Sequence, residues 1–230
     1  VASERTKTEL ITNVSHDLKT PLTAIITYVN LLKQPGITEE EKNSYIDVLE
    51  QKSMRLKALI EDLFEVSKAS SGSVSLHLEP VDLVSLIKEV RLELSERIAG
   101  CGVDFRWKLP EEKVMVNLDG QRTYRIFENL LVNIMKYAMP GTRAYVNLEQ
   151  QERFVVVTLM NISASEISVS PQELMERFVR GDESRNTEGS GLGLAIAKSF
   201  TELQEGTMEL SLEGDLFRVV LRWKMLGDEA

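Results

Sequence analysis

A chain of 230 residues, 43% of them apolar, has enough hydrophobic side chains to bury one large core or two small ones. Its formal charge of -9, from 36 acidic against 27 basic residues, excludes a nucleic-acid partner, because a phosphate backbone requires a basic face. The single cysteine, Cys101, has no intramolecular disulfide partner and points to a reducing compartment, and no long apolar run or charged-then-apolar leader marks a membrane span or export signal.

The chain opens inside a helical pattern, Glu4 to Leu10, which suggests a piece of a longer protein with a sensing region upstream. Apolar residues recur at helical spacing through Leu10, Val14, Leu18, Leu22, Ile25, Ile26, Val29 and Leu32, so a long amphipathic helix is expected from about Ser3 to Lys33. Within it lies Ser15-His16-Asp17-Leu18-Lys19-Thr20-Pro21-Leu22. On a helix His16 and Thr20 share a face and Asp17 lies about 100° round from His16. An imidazole, a carboxylate and a hydroxyl then converge. Pro21 removes a helical hydrogen bond to the carbonyl of Asp17 at a cost of about 3 kcal/mol, and a kink there would present the histidine to incoming groups.

Gln34-Pro35-Gly36 ends this helix, and Thr38-Glu39-Glu40-Glu41 reads as a capping box that starts a second one. The apolar positions Tyr45, Val48, Leu49, Leu56, Leu59, Ile60, Leu63, Phe64 and Val66 carry it to about Ala69. A lone hairpin cannot cover both apolar stripes, so two copies are expected to form a dimeric four-helix bundle. A plain interaction coiled coil is the alternative on these patterns alone.

Ser70-Ser71-Gly72-Ser73 reads as a linker, after which long helices give way to short mixed elements, placing a domain boundary there. Strands are expected at Val74–Leu78, Val103–Leu109 and Val114–Leu118, and helices at Val81–Ala99 and Gln121–Ala138. Pro140-Gly141 introduces a hairpin, Arg143–Glu149 with Phe154–Asn161. An irregular polar stretch from Ser163 to Ser190 then precedes a helix, Leu192–Gln204, and a last hairpin, Thr207–Leu212 with Phe217–Trp223. The second unit is therefore α/β or α+β, a sheet with helices on one face. His77, between Leu76 and Leu78, is expected to point to solvent.

Two patterns in this unit suit a nucleotide. Gly189-Ser190-Gly191-Leu192-Gly193-Leu194 opens a helix, where free backbone donors and the helix dipole attract phosphate. A glycine-rich turn without a ligand would look the same, and neither a P-loop nor a dinucleotide βαβ fingerprint fits. The second is Glu128-Asn129-Leu130-Leu131-Val132-Asn133-Ile134-Met135-Lys136-Tyr137, in which Asn129, Asn133, Lys136 and Tyr137 line one stripe of a helix. A carboxamide oxygen can complete the shell of a Mg²⁺ held mainly by triphosphate oxygens, a lysine can neutralise phosphate, and a tyrosine ring can pack on adenine. A solvated helix face is the alternative.

Taken together the chain resembles a sensor histidine kinase over nearly all of its length. SHDLKTPL is similar to the family's phosphoacceptor box, ENLLVNIMKY to its asparagine box, ERFVRGD to its phenylalanine box and GSGLGLAIAK to its second glycine box, in that order. The resemblance implies a dimerisation and phosphotransfer domain at 1–70 and an ATP-binding domain at 73–230, the latter a Bergerat-type α/β sandwich. It implies His16 as phosphoacceptor and Asp17 as the acid that orients the imidazole and takes its proton. Thr20 would position water for dephosphorylation of the partner. It further implies Asn133 as Mg²⁺ ligand, Lys136 and Arg180 as phosphate contacts, Tyr137 as an adenine contact, and Gly189, Gly191, Leu192 and Gly193 as the phosphate-binding turn. Asn129 stands where related ATP hydrolases keep a water-activating glutamate, which favours transfer to histidine over hydrolysis. The implied cofactors are ATP and Mg²⁺. The implied partners are a second copy of the chain and the receiver domain of a response regulator, and the implied setting is the cytoplasmic portion of a membrane-anchored sensor whose anchor lies N-terminal to this chain.

One box departs from the pattern. Where Asp-x-Gly-x-Gly belongs, this chain has Asn161-Ile162-Ser163-Ala164-Ser165. An asparagine carbonyl still accepts a hydrogen bond from the adenine amine, though a neutral acceptor is roughly half as strong as a carboxylate. Serine cannot take positive φ freely, so the loop is expected to be rebuilt. Two outcomes compete: a kinase of modest ATP affinity, and a weakly nucleotide-binding homologue that acts as phosphatase or regulated scaffold. A chaperone-type or mismatch-repair-type ATPase has no use for SHDLKTP, and a purely structural module has none for GSGLGL beside the asparagine stripe.

Overall fold

The computed structural model describes residues 18–70, 76–167, 170–176 and 193–226. Contacts divide the chain into two compact units at Ser67/Lys68. The first is helical and the second is a mixed α/β sheet domain.

In the first unit α1 spans 18–32 and α2 spans Glu39–Ser70. Gly36, at φ 88°, takes the left-handed turn between them that a side chain would resist. The capping box forms as its residues dictate: Thr38 N–H donates to Glu41 Oε2 at 2.8 Å and Glu41 N–H donates to Thr38 Oγ1 at 3.2 Å. The Thr38 N–H, joined by the Thr38 hydroxyl donating to the same Oε2 at 3.0 Å, holds the Glu41 carboxyl below its ordinary pKa. Tyr28 and Tyr45 pack tilted across the hairpin, centroids 5.5 Å apart. Leu59 is buried, whereas Leu22, Ile26, Ile46, Met54, Ile60 and Phe64 stay exposed. A groove of about 520 Å³ on α2 runs between Leu56, Ile60 and Phe64.

The second unit runs β1 (Glu79–Asp82), α3 (Leu83–Glu93), α4 (Ser95–Gly100), β2 (Asp104–Lys108), β3 (Met115–Leu118), α5 (Gly120–Tyr137), β4 (Arg143–Gln151), β5 (Phe154–Ile162), α6 (Pro171–Glu176), α7 (Gly193–Leu203), β6 (Thr207–Glu213) and β7 (Leu216–Lys224). Five strands form one sheet in the order β2-β4-β5-β7-β6, parallel only between β2 and β4, and β1 with β3 forms a separate antiparallel ribbon. Alternation assigns the faces. On β5 the buried positions Val155, Val157, Leu159 and Asn161 lie opposite Trp223, Leu221, Val219 and Phe217 of β7. Ile126, Phe127, Leu130, Leu131 and Ile134 of α5 and Ile196, Ala197 and Phe200 of α7 supply the buried helical side of this core.

Two expected elements are corrected. The Val74–Leu78 strand is absent over 76–78, and pairing begins instead at Glu79, opposite Leu118. The His77 backbone N–H is taken by Asp119 Oδ2 at 3.1 Å rather than by a strand, while its side chain is 89% exposed as expected. The expected Val81–Ala99 helix starts later, because Val81 and Asp82 belong to the ribbon and Asp82 caps α3 by accepting from Val84 N–H at 3.2 Å. It also breaks at Leu94, which is buried and whose backbone at φ -89°, ψ 6° separates α3 from α4. Within the polar stretch from Ser163 to Ser190, one short helix, α6, is described.

Candidate nucleotide site

The site is built on α5, β5 and the start of α7. Asp119 caps α5 by accepting from Arg122 N–H at 3.1 Å and pairs with the Arg122 guanidinium. Burial pushes its carboxyl pKa up, but the His77 and Arg122 N–H bonds and the Arg122 charge outweigh this and hold it below the ordinary range. Gln204, just past α7, locks the same end: its Oε1 accepts from Asp119 N–H at 2.7 Å and from Thr123 Oγ1 at 3.1 Å, and its Nε2 donates to Phe200 O at 2.8 Å. This buried clamp went unread in the sequence. Asp119 carries a local signal, an aspartate three residues before Arg122 at a helix start. Gln204 carries none, since it acts 85 residues away.

The clamp fastens the first turn of α5 at Asp119 and Thr123. Thr123, Ile126, Phe127, Leu130, Leu131 and Ile134 turn inward. The expected stripe follows beside them, with Asn129, Asn133 and Tyr137 half-buried and Lys136 exposed. Asn129 lies against the first residue of α7: a Cβ on Gly193 would stand 3.4 Å from Asn129 Oδ1. The first residue of α7 therefore stands beside the stripe at Asn129.

The far end of α5 is tied to the loop after β5. Ala164 N–H donates to Tyr137 O at 2.8 Å, Met139 N–H to Ile162 O at 2.8 Å, and Ala138 bridges Ser163. Ser163 N–H also donates to Asp215 O at 2.7 Å, and its hydroxyl donates to Ser165 O at 2.8 Å. No residue of Asn161–Ser165 has positive φ; among the described non-glycine residues only Glu152 and Glu205 do. The loop thus follows a path that serine and alanine can adopt, closed by side-chain bonds. Asn161 is 3% exposed at its base, next to the end of α5.

Two buried amide atoms have no hydrogen-bond partner among the described residues: Asn129 Nδ2 and Asn161 Oδ1. One is a donor and the other an acceptor, and a ligand bearing both phosphate oxygens and an amine would satisfy the pair. No group of three or more His, Cys, Asp or Glu side chains that could hold a metal occurs among the described residues. The donor set on the stripe is one of neutral carboxamides, which fits a cation that arrives already held by phosphate oxygens.

Of the remaining expected residues, Thr20 lies exposed on α1 in the helical unit. His16, Asp17, Arg180, Gly189, Gly191 and Leu192 lie outside the described residues. No described helix is long and apolar enough to cross a membrane.

Comparison with known proteins adds an independent line. Residues 6–72 match the family described as His Kinase A (phospho-acceptor) domain, and residues 118–225 match the family of histidine kinase-, DNA gyrase B- and HSP90-like ATPases. The sensor protein VanSC of Enterococcus gallinarum is 31% identical over 199 residues, covering 85% of this chain and 55% of that protein. The chain spans about half the length of several such relatives. Among solved structures, the histidine kinase ThkA in complex with the response regulator TrrA superposes with a TM-score of 0.71 at 21% identity, covering 96% of this chain and 63% of that one. Full-length ShkA in complex with AMPPNP superposes at 0.67 with 22% identity, covering 96% of this chain and 46% of that one. These likenesses establish the fold.

Proposed function

Because the chain belongs to the sensor histidine kinases, we propose that it transfers the γ-phosphoryl group of ATP to His16 and passes it on to an aspartate of a response regulator's receiver domain. The observation that carries this reading is the pair of partnerless buried amides, Asn129 Nδ2 beside the start of α7 and Asn161 Oδ1 at the end of β5, next to the end of α5. ShkA was solved with AMPPNP and ThkA with TrrA, which supports a nucleotide and a response regulator as the ligands here.

Phosphoryl transfer asks little covalent work of the protein and much positioning. Neutral His16 attacks the γ-phosphorus in line, its bond forming as the bridging bond to ADP breaks. Asp17 orients the ring and stabilises the imidazolium that develops. Lys136 and Arg180 bear on the phosphates, Tyr137 packs on the base, and Asn161 accepts from the adenine amine. The turn Gly189, Gly191, Leu192 and Gly193 offers backbone donors to phosphate at the start of α7. Asn133 would hold Mg²⁺, which neutralises phosphate charge when bound with the nucleotide. With asparagine rather than glutamate at 129, no carboxylate on the stripe activates water, so histidine is the acceptor.

The remaining assignments form one picture with this. Residues 1–70 act as the dimerisation and phosphotransfer domain and 73–230 as the catalytic domain. A second hairpin covers the exposed stripe of α1 and α2. Thr20 positions water when phosphate is removed from the partner, and the whole works at the cytoplasmic side of a membrane-anchored sensor.

Labelled ATP tests the reading. An acid-labile, base-stable phosphoprotein forms in the wild type and is abolished in His16→Gln; phosphate release with no labelled chain, indifferent to His16, overturns it. A second reading, a nucleotide-poor homologue working as phosphatase, is favoured by the neutral side chain at 161. Failure of ATP to label His16 while Thr20→Ala still abolishes dephosphorylation of a phosphorylated receiver domain would select it.

A further inference from the structure

Helices α5 and α7 meet at both ends of α7. Gly193, its first residue, lies against Asn129, and Gln204, just past its last turn, reaches Asp119 and Thr123 at the start of α5. The spacings agree: Asn129 stands ten residues beyond Asp119 and Gly193 eleven before Gln204, about 15 and about 16.5 Å at the helical rise, so α7 runs antiparallel along α5. Between its ends α7 buries Leu194, Ile196, Ala197 and Phe200, and apolar contact, being non-directional, sets position along an axis only loosely. The directional contact is Gln204, which is buried. Its Oε1 accepts from Asp119 N–H at 2.7 Å and from Thr123 Oγ1 at 3.1 Å, while its Nε2 donates to Phe200 O of α7 itself at 2.8 Å. Turned end for end, the amide would set its nitrogen against the Asp119 N–H, donor on donor, so one orientation is fixed. Bonds of this length weaken when stretched by a few tenths of an ångström, and a helix carries a displacement of Gln204 along its axis to Gly193.

We propose that Gln204 is a positioning residue for the phosphates: by fixing the end of α7 on the start of α5, it sets where α7 begins beside Asn129, and hence where the amides at that end meet a triphosphate. This role rests on the nucleotide reading given above and adds to it the residue that sets the geometry. Gln204 touches no phosphate; it acts through Gly193, at the other end of the helix. The base contacts of that reading, Tyr137 and Asn161, belong to α5 and β5 and keep their places when α7 shifts. Loss of Gln204 therefore weakens the triphosphate selectively.

Titration of the 230-residue chain with ATP and Mg²⁺, and separately with adenosine, isolates what the phosphates contribute as the ratio of the two affinities. Gln204→Met, of nearly the same shape but without the amide, should lower that ratio about tenfold and change the affinity for adenosine by less than about twofold. Val90→Ala opens a cavity in α3, which carries neither the clamp nor the stripe, and supplies the comparison: it should lower the melting temperature and leave the ratio unchanged. An unchanged ratio in folded Gln204→Met, checked by circular dichroism, overturns the positioning role and leaves the nucleotide site standing. An equal fall of the ratio in Val90→Ala also overturns it, since general loosening then suffices. Should Gln204→Met not fold, Thr123→Val decides, because it removes one of the two donors to Gln204 Oε1: a fall of about threefold in the ratio supports the role, and no change overturns it. Wild-type chain that binds ATP no more tightly than adenosine overturns the phosphate site and this role together.

Discussion

The two units of the chain solve burial in opposite ways. In the hairpin, Leu59 is the one large apolar side chain buried among the described residues, and six others from Leu22 to Phe64 face outward. The sheet unit closes on itself: Trp223, Phe127 and Phe200 are almost wholly buried between strands and helices. A sheet with helices on one face can complete a core within one chain, whereas two antiparallel helices cannot, because each has a stripe wider than its single neighbour covers. The hairpin's stability is therefore expected to depend on protein concentration and the sheet unit's not.

The largest effect should come from attacking that difference at the hairpin. Phe64, 60% exposed beside the groove on α2, becomes a buried charge in a dimer if replaced by aspartate. Phe64→Asp should weaken self-association about a hundredfold, about 2.7 kcal/mol, in sedimentation equilibrium, with the sheet unit's melting unchanged. A dimer of unaltered strength would put the interface elsewhere. Next in size is Gly206→Ala in the sheet unit. A Cβ there would overlap Trp223 Nε1 and stand 2.9 Å from Thr201 Cγ2, and neither the buried indole nor the helix can give way cheaply. A loss of about 2 kcal/mol is expected in denaturant unfolding, independent of protein concentration; a neutral result would mean that the indole has room to move.

The smallest sharpens the contrast through pH. Asp119 has its folded pKa depressed, so its contribution to stability is present above the unfolded value of about 3.9 and is lost as pH falls through the folded one. Asp119→Asn should cost about 1 kcal/mol at pH 7, and the deficit should shrink progressively as pH falls below about 3.9 in the sheet unit's unfolding midpoint. A deficit that persists in acid would assign the effect to the geometry of the cap rather than to its charge.

Much of this was legible before any coordinates. The capping box at Thr38 and Glu41, the amphipathic α5 and the asparagine stripe are carried by residues within a few positions of each other, so helical period and capping chemistry reveal them. The Val74–Leu78 strand failed for the converse reason. Alternation there is real, but a strand exists only where a partner pairs with it, and the partner Met115–Leu118 takes Glu79–Asp82. The break at Leu94 was equally hidden, since the helical period runs through Leu83, Leu86, Ile87, Val90 and Leu94 without interruption.

What the sequence determined by itself is the set of parts: two long helices, a polar stripe on α5, a glycine-rich entry to α7 and a neutral side chain at 161, all properties of local spacing and chemical type. Tertiary structure alone decided that β2 runs parallel to β4, that Gln204 holds Asp119 from 85 residues away, and that Gly193 meets Asn129. It also left Asn161 Oδ1 buried without a partner among the described residues. Whether a carboxamide is an ordinary polar residue or an unsatisfied acceptor depends on which backbone groups surround it, and only the packed sheet and helices bring those groups together.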